Sequence, residues 1–159
     1  MELSAIVVML VEKYGYFGVF ISSFLNSVMV FTPINLDLIT MTFSAVLNPF
    51  ILVLFMGVGS GLGDMSTYII GRGANDIMEE HKKMRKFIEK GKTLFKKYGA
   101  IYLISLGLIP IPFDFAGVIA GSLDYPAKKF LAIAIIAKIL RSAVMVFSFK
   151  VGFTLITSL

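Results

Sequence analysis

From Tyr14 to Gly63 the chain carries a single charged residue, Asp37. The uncharged runs on either side of it, Tyr14–Leu36 and Leu38–Gly63, each exceed the roughly 20 apolar residues that a helix needs to cross a bilayer. A soluble domain of 159 residues has no interior large enough to hide such runs. With 57% hydrophobic and 16% charged residues and a mean hydropathy of +0.87, the composition belongs to a membrane protein. Backbone groups in lipid must be satisfied within the segment, so the runs predict an all-α polytopic fold. Glu2, with no basic flank and no small-residue cleavage site after it, gives no sign of a signal peptide. The absence of cysteine removes disulfides, thiolate metal sites and a thiol nucleophile. The one histidine, His81, sits among lysines and reads as a surface residue. No nucleotide or zinc motif is present, and no cofactor is expected.

Prolines and an acid interrupt the apolar background, and they do so twice. Pro33-Ile34 with Asp37 is answered by Pro110-Ile111 with Asp114, and a second proline follows at Pro49 and Pro126, all at a constant offset of 77. Upstream, Lys13-Tyr14-Gly15 is answered by Lys97-Tyr98-Gly99. Downstream, Asp64 and Arg141 each stand 15 residues past the second proline. The shared order predicts one membrane domain, 1–159, built of two repeats at about 13–72 and 97–158 with a connector over 73–97.

Each repeat has a broken first element and a continuous second one. Pro33, Pro110 and Pro112 remove backbone donors and clash with the preceding turn, so a helix stops at each break. Broken backbone survives at membrane depth only where protein or water satisfies it. A break carrying an acid reads as a re-entrant helical hairpin, with a single kinked span as the alternative. The second elements, Phe50–Arg72 and Ala127 to about Ser158, are long enough to cross. One crossing per repeat makes the repeats inverted, and inverted repeats with paired broken helices point to a transport site near the midplane. Gly57, Gly59, Gly61 and Gly63 resemble a phosphate loop but lie inside an apolar span, where small residues serve helix packing.

Between the repeats, Ile77, Met84, Ile88, Phe95 and Tyr98 fall on one helical face, and Asp76 with Glu79 forms a capping box. Residues 72–97 hold nine basic and four acidic side chains, which accounts for the whole net charge of +5. This pattern predicts an amphipathic helix laid on an anionic membrane surface. With Lys128 and Lys129 on the same side, the positive-inside rule places this face in the cytoplasm and both termini outside, in the cell membrane. Nucleic acid is the rival partner for the lysines, but no aromatic or arginine-rich pattern accompanies them.

Gly63-Asp64, Tyr68 and Gly71-Arg72 together resemble the GDxxxYxxGR signature of the DedA/VTT family, also described as SNARE-associated Golgi proteins. Pro33 with Asp37 resembles that family's first hairpin motif, and Leu108-Ile109-Pro110 with Ile119-Ala120-Gly121 its second. The resemblance covers about residues 14–158 and is nearest to the short YqaA-like branch. It implies two opposed re-entrant hairpins and the movement or scrambling of lipids, phospholipids and polyprenyl-phosphate carriers among them, with proton coupling in some members. The second motif common in bacteria resembles R-F-I-P-x-x-R. Here Gly107 and Phe113 stand at its arginine positions and Asp114 follows, so that motif's arginine pair is absent.

The residues sort into roles accordingly. Asp37 and Asp114 are candidates for a transport site at the hairpin breaks, or for N-caps of the returning arms, and both roles are compatible. Asp64 and Arg141 are expected to pair across the repeats, as a brace or as a gate. Tyr68 and Arg72 continue the face of Asp64 along a polar path, and Arg72 also suits snorkelling to headgroups. Lys138 stands three residues before Arg141, in position to help it attract an anionic headgroup. The function expected is a non-enzymatic lipid transporter or scramblase for anionic or zwitterionic lipids, passive or coupled to protons or sodium, and able to self-associate. A structural protein whose hairpins wedge a leaflet and bind partners is the alternative. A membrane-embedded hydrolase using paired aspartates is a weaker one, since no nucleophile or metal cluster accompanies them.

Overall fold

A computed structural model describes residues 3–28, 36–73, 82–108 and 114–157, and nearly all of these are helical. Pro33, Pro110 and Pro112, the Asp76–Glu79 box, Ile77 and His81 lie outside the described residues. In chain order the helices are α1 (Leu3–Tyr14), α2 (Tyr16–Val28), α3 (Leu36–Thr42, prolonged by a 3-10 turn over Phe43–Ala45), α4 (Pro49–Gly63), α5 (Met65–Gly73), α6 (Lys82–Tyr98), α7 (Ala100–Leu108), α8 (Asp114–Ser122) and α9 (Ala127–Thr157).

The two Lys-Tyr-Gly triplets fold alike. Gly15 and Gly99 adopt φ of 57° and 59°, a left-handed conformation in which a side chain is strained. Their amides donate to the carbonyls of Val11 and Phe95 at 2.8 and 2.7 Å, ending α1 and α6 and launching α2 and α7. Lys13 and Lys97 then lie over the rings of Tyr14 and Tyr98, 5.5 and 5.1 Å from their centroids.

Among the described residues, two helices are long and apolar enough to cross a membrane, Pro49–Gly73 (α4 continued by α5) and Ala127–Leu155 of α9. Asn48 starts the first by accepting a hydrogen bond from the Phe50 amide at 3.0 Å, with Pro49 preset for the first turn. Along both, large apolar side chains face outward, among them Phe50, Leu54 and Ile69 on one and Ile136, Val144 and Val151 on the other. A contiguous exposed apolar surface of this kind is what lipid covers.

Glycine contacts fix the directions of the helices. A Cβ on Gly57 would press on Ile139 and one on Gly61 on Ile135, so α4 and α9 are antiparallel. Gly59 abuts Phe20 while Gly63 abuts Phe24 and Ser27, so α2 runs parallel to α4. The alternate glycines therefore serve two partners, one set facing each. Between these parallel helices α3 returns: the Leu36 amide donates to Asn26 at 3.3 Å, and the Asn48 amide to the Tyr16 hydroxyl at 2.9 Å. Helices α2 and α3 thus form a hairpin whose two ends meet. In the second half, Gly117 abuts Thr67 and Gly121 abuts Gly71 and Arg72, so α8 runs parallel to α5. The turn after α8 comes back to the end of α6, with the rings of Tyr125 and Phe95 edge to face at 5.1 Å.

Two apolar cores result. One gathers Val7, Val19, Leu36, Leu52, Met56 and Val146 around α1 to α4, and the other gathers Tyr68, Ile88, Leu103, Ile119 and Phe130 around α5 to α9. The apolar face expected of the connector is taken up by the protein at Ile88 and Phe95, while Tyr98 stays half exposed. Ile88 and Phe95 belong to the second core, and Gly91 lets Ile119 of α8 sit against the α6 backbone. Periodicity shows that a face is apolar but not what it packs on, and here the protein itself takes it.

Candidate functional site

Where the two cores meet, the interior turns polar. Asp64 stands at the joint of α4 and α5 with its backbone still helical, its amide bonded to the Ser60 carbonyl at 3.0 Å. Just beyond it, Ser66 and Thr67 donate their hydroxyls to the carbonyls of Gly63 and Asp64, both at 2.8 Å. Such back-bonding competes with the helical ladder and commonly bends a helix. The carboxylate of Asp64 is fully buried and pairs with Lys138 of α9, Nζ to Oδ1 3.1 Å. Lys138 is itself almost wholly buried, and its ammonium also donates to the Ser27 hydroxyl of α2 at 3.3 Å.

Asp37 approaches the same place from α3. It is partly buried, is hydrogen-bonded by the side chain of Asn26, and lies within Coulombic reach of Lys138 and Arg141. Asn26 therefore uses both ends of its amide: the oxygen takes the Leu36 amide and the remaining group holds Asp37. Two acids and two bases converge from three helices, with no excess charge among the four. The Ser22 and Ser23 hydroxyls, buried on the inner face of α2, have no hydrogen-bond partner among the described residues.

The expected Asp64–Arg141 pair is not what forms. Equivalent positions of two antiparallel helices meet only at the point where the helices cross. The contacts Gly57–Ile139 and Gly61–Ile135 put that crossing near residue 60 of α4. Asp64 and Arg141 lie on opposite sides of it, about 13 Å apart along the axis at 1.5 Å per residue. Helical side chains lean toward their own N-terminus, which for α9 is the direction of Asp64. Lys138, one turn nearer than Arg141, therefore makes the pair, and Arg141, like Lys138, lies within Coulombic reach of Asp37.

Tyr68 and Arg72 are engaged elsewhere. The Tyr68 hydroxyl donates to the Tyr125 carbonyl at 2.5 Å, and its ring stacks on Phe130 with centroids 5.2 Å apart. Arg72 pairs with Asp124 at 3.1 Å, both side chains largely exposed. Asp124 itself adopts φ of 51° in the turn between α8 and α9. These two residues of the signature thus latch the turn after α8 onto α5, away from the buried charges. Asp114 opens α8, and the parallel register of α8 with α5 puts its backbone level with Asp64. Its side chain lies outside the described set.

Sequence reasoning missed Asn26 and Ser27 and gave Lys138 a secondary part. Lys138 had a signal, as a second cation in an apolar helix on nearly the same face as Arg141. Asn26 had none beyond being an amide in an uncharged run.

The VTT domain profile matches residues 33–151, three quarters of the chain and both broken segments. The inner membrane protein YqaA of Escherichia coli is 30% identical over 110 residues, covering 69% of this chain and 73% of that protein; YqaA of Shigella flexneri matches equally. MJ0201 of Methanocaldococcus jannaschii, described as uncharacterized, is 23% identical over 141 residues, covering 88% of this chain and 87% of its own. No solved structure matches significantly.

Proposed function

The chain belongs to the DedA/VTT family, in its YqaA-like branch, and from that premise we propose that it lets lipids pass between the leaflets of the cell membrane. The carrying observation is a charge-balanced set between the two apolar cores, with Asp64 and Lys138 buried and paired and Asp37 and Arg141 partly buried beside them. A headgroup crossing a bilayer loses its hydration, and an unpaired charge at the centre costs several kcal/mol. Side chains of both signs at that depth replace the lost water. Lys138 and Arg141 suit a phosphate, while Asp37 and Asp64 suit the amine of a zwitterionic headgroup. Since the acids and bases already satisfy each other at rest, the path costs little when empty, and exchange of partners admits a headgroup. No covalent step is involved.

In this reading α2–α3 and α7–α8 are re-entrant hairpins of two inverted repeats, opposed so that the first residues of α3 and α8 approach the midplane from opposite sides. Supporting it, the hairpin ends meet at Tyr16 and Asn48, the two Gly turns match, and Asp114 is level with Asp64. The face carrying α6 is cytoplasmic. Movement is driven by the lipid gradient or by a proton or sodium ion taken up at the acids.

Reconstitution tests the reading. Vesicles holding the purified protein should expose fluorescent inner-leaflet phospholipid to an external quencher faster than empty vesicles. Rates no faster than those of empty vesicles for phosphatidylcholine, phosphatidylethanolamine and phosphatidylglycerol probes, with and without an imposed ion gradient, would remove it.

A further inference from the structure

We propose that the lysine face of α6, continued by the start of α9, binds the anionic lipid headgroups of the leaflet beside it. Helix α6 has eight basic residues and one acidic in 17. Its inner side is occupied: Ile88, Gly91 and Phe95 are buried against the second core. At 100° per residue, Lys86, Lys90 and Lys97 fall within about 40° of one another, opposite that buried side. All three are exposed. Packing has thus turned an amphipathic helix into a fixed mount that holds a row of ammonium groups away from the protein.

The location selects the partner. The Phe95–Tyr125 contact fastens α6 to the turn before α9, so Lys128 and Lys129, also exposed, join the row. This is the end of the molecule at which α5 finishes and α9 begins, the end shared by the two helices long and apolar enough to cross a membrane. Tyr98, the last residue of α6, and Ile101, just beyond it, are half and three-quarters exposed. An exposed tyrosine followed by an exposed isoleucine marks the passage from headgroups to acyl chains. The lysines immediately before them are therefore at headgroup level, beside lipid, and a row of unshielded ammonium groups there suits phosphate-bearing anionic lipids. Because Ile88 and Phe95 are held in the second core, the attraction is chiefly electrostatic and sensitive to salt.

The inference does not depend on lipid movement, and its readout is stability. Detergent-solubilised protein is melted with added phosphatidylglycerol or phosphatidylcholine, at low and high salt. Phosphatidylglycerol should raise the melting temperature by a few degrees over phosphatidylcholine, as a ligand that binds only the folded state does, and high salt should erase most of the difference. Replacing Lys86, Lys90, Lys97, Lys128 and Lys129 together by Gln should leave melting in phosphatidylcholine unchanged and abolish the phosphatidylglycerol effect. Arg at the same five positions should retain it, which keeps the test valid if the Gln variant folds poorly. Equal melting of the parent in the two lipids would overturn the proposal, as would an undiminished effect in a folded Gln variant. Stabilisation by soluble polyglutamate or an oligonucleotide, but not by phosphatidylglycerol, would assign the face to a soluble partner and overturn it too.

Discussion

The two returning arms, α3 and α8, begin from the same sequence idea and are held in opposite ways. Helix α8 lies on α5 along Gly71, Gly117 and Gly121, where added Cβ atoms would collide with backbone or with Thr67. It is latched at its end by Tyr68 and Arg72 and backed by α6. Helix α3 has no such seam. Leu36 and Thr40 are its buried residues, its start is pinned by Asn26, and toward α9 it presents Asp37 to Lys138 and Arg141. Its far end is tied to its own hairpin through Tyr16. Close backbone packing admits one arrangement, whereas ion pairs can exchange partners. Under the proposed function, the comparison assigns α8 to scaffold and α3 to the polar path.

The scaffold half breaks hardest by steric means. Gly121→Val inserts a branched side chain against the Tyr68 carbonyl, and the expected loss is about 3 kcal/mol, seen as loss of monodisperse protein in detergent. Gly152→Val, where nothing lies within 4 Å, should change melting little. If the two substitutions behave alike, the seam is not what holds α8.

The polar half breaks by stranding a charge. Lys138→Met leaves the buried Asp64 without this ammonium, and losing one partner of a buried pair costs about 3–5 kcal/mol. Adding Asp64→Leu should restore part of the melting temperature. Arg141→Met should cost less than Lys138→Met, because Arg141 is not the partner of Asp64. A larger loss for Arg141→Met would mean that the acids and bases are matched differently.

The latch gives the smaller effects. Tyr68→Phe removes one hydrogen bond to Tyr125 and should cost about 1 kcal/mol. Arg72→Gln, on an exposed pair, should cost no more than about 0.5 kcal/mol. Neither should slow lipid movement if the path runs along α3. A steep loss of transport with either would move the path to the second hairpin and reverse the comparison.

Much of this frame was legible in the chain. Uncharged length located the two helices long and apolar enough to cross a membrane, Phe50–Arg72 against Pro49–Gly73 and Ala127 to about Ser158 against Ala127–Leu155. The paired Lys-Tyr-Gly triplets marked two turns of one conformation, and GDxxxYxxGR marked the family. The partner of Asp64 was not legible, because matched positions in antiparallel helices are neighbours only at the crossing. Asn26 was not either, since an amide gains meaning only from the two groups it bridges. Nor did the signature reveal that Tyr68 and Arg72 fasten a turn 52 or more residues away.

The central claim is that the charges facing α3, and not its packing, carry lipid. Asp37→Asn tests it most directly, since the amide can keep the bond to Asn26 while the charge facing Lys138 and Arg141 is gone. Initial rates of phospholipid movement in reconstituted vesicles should fall at least about tenfold, equivalent to about 1.4 kcal/mol on the barrier, with melting close to the parent's. Movement at the parental rate in a folded Asp37→Asn protein would contradict the account.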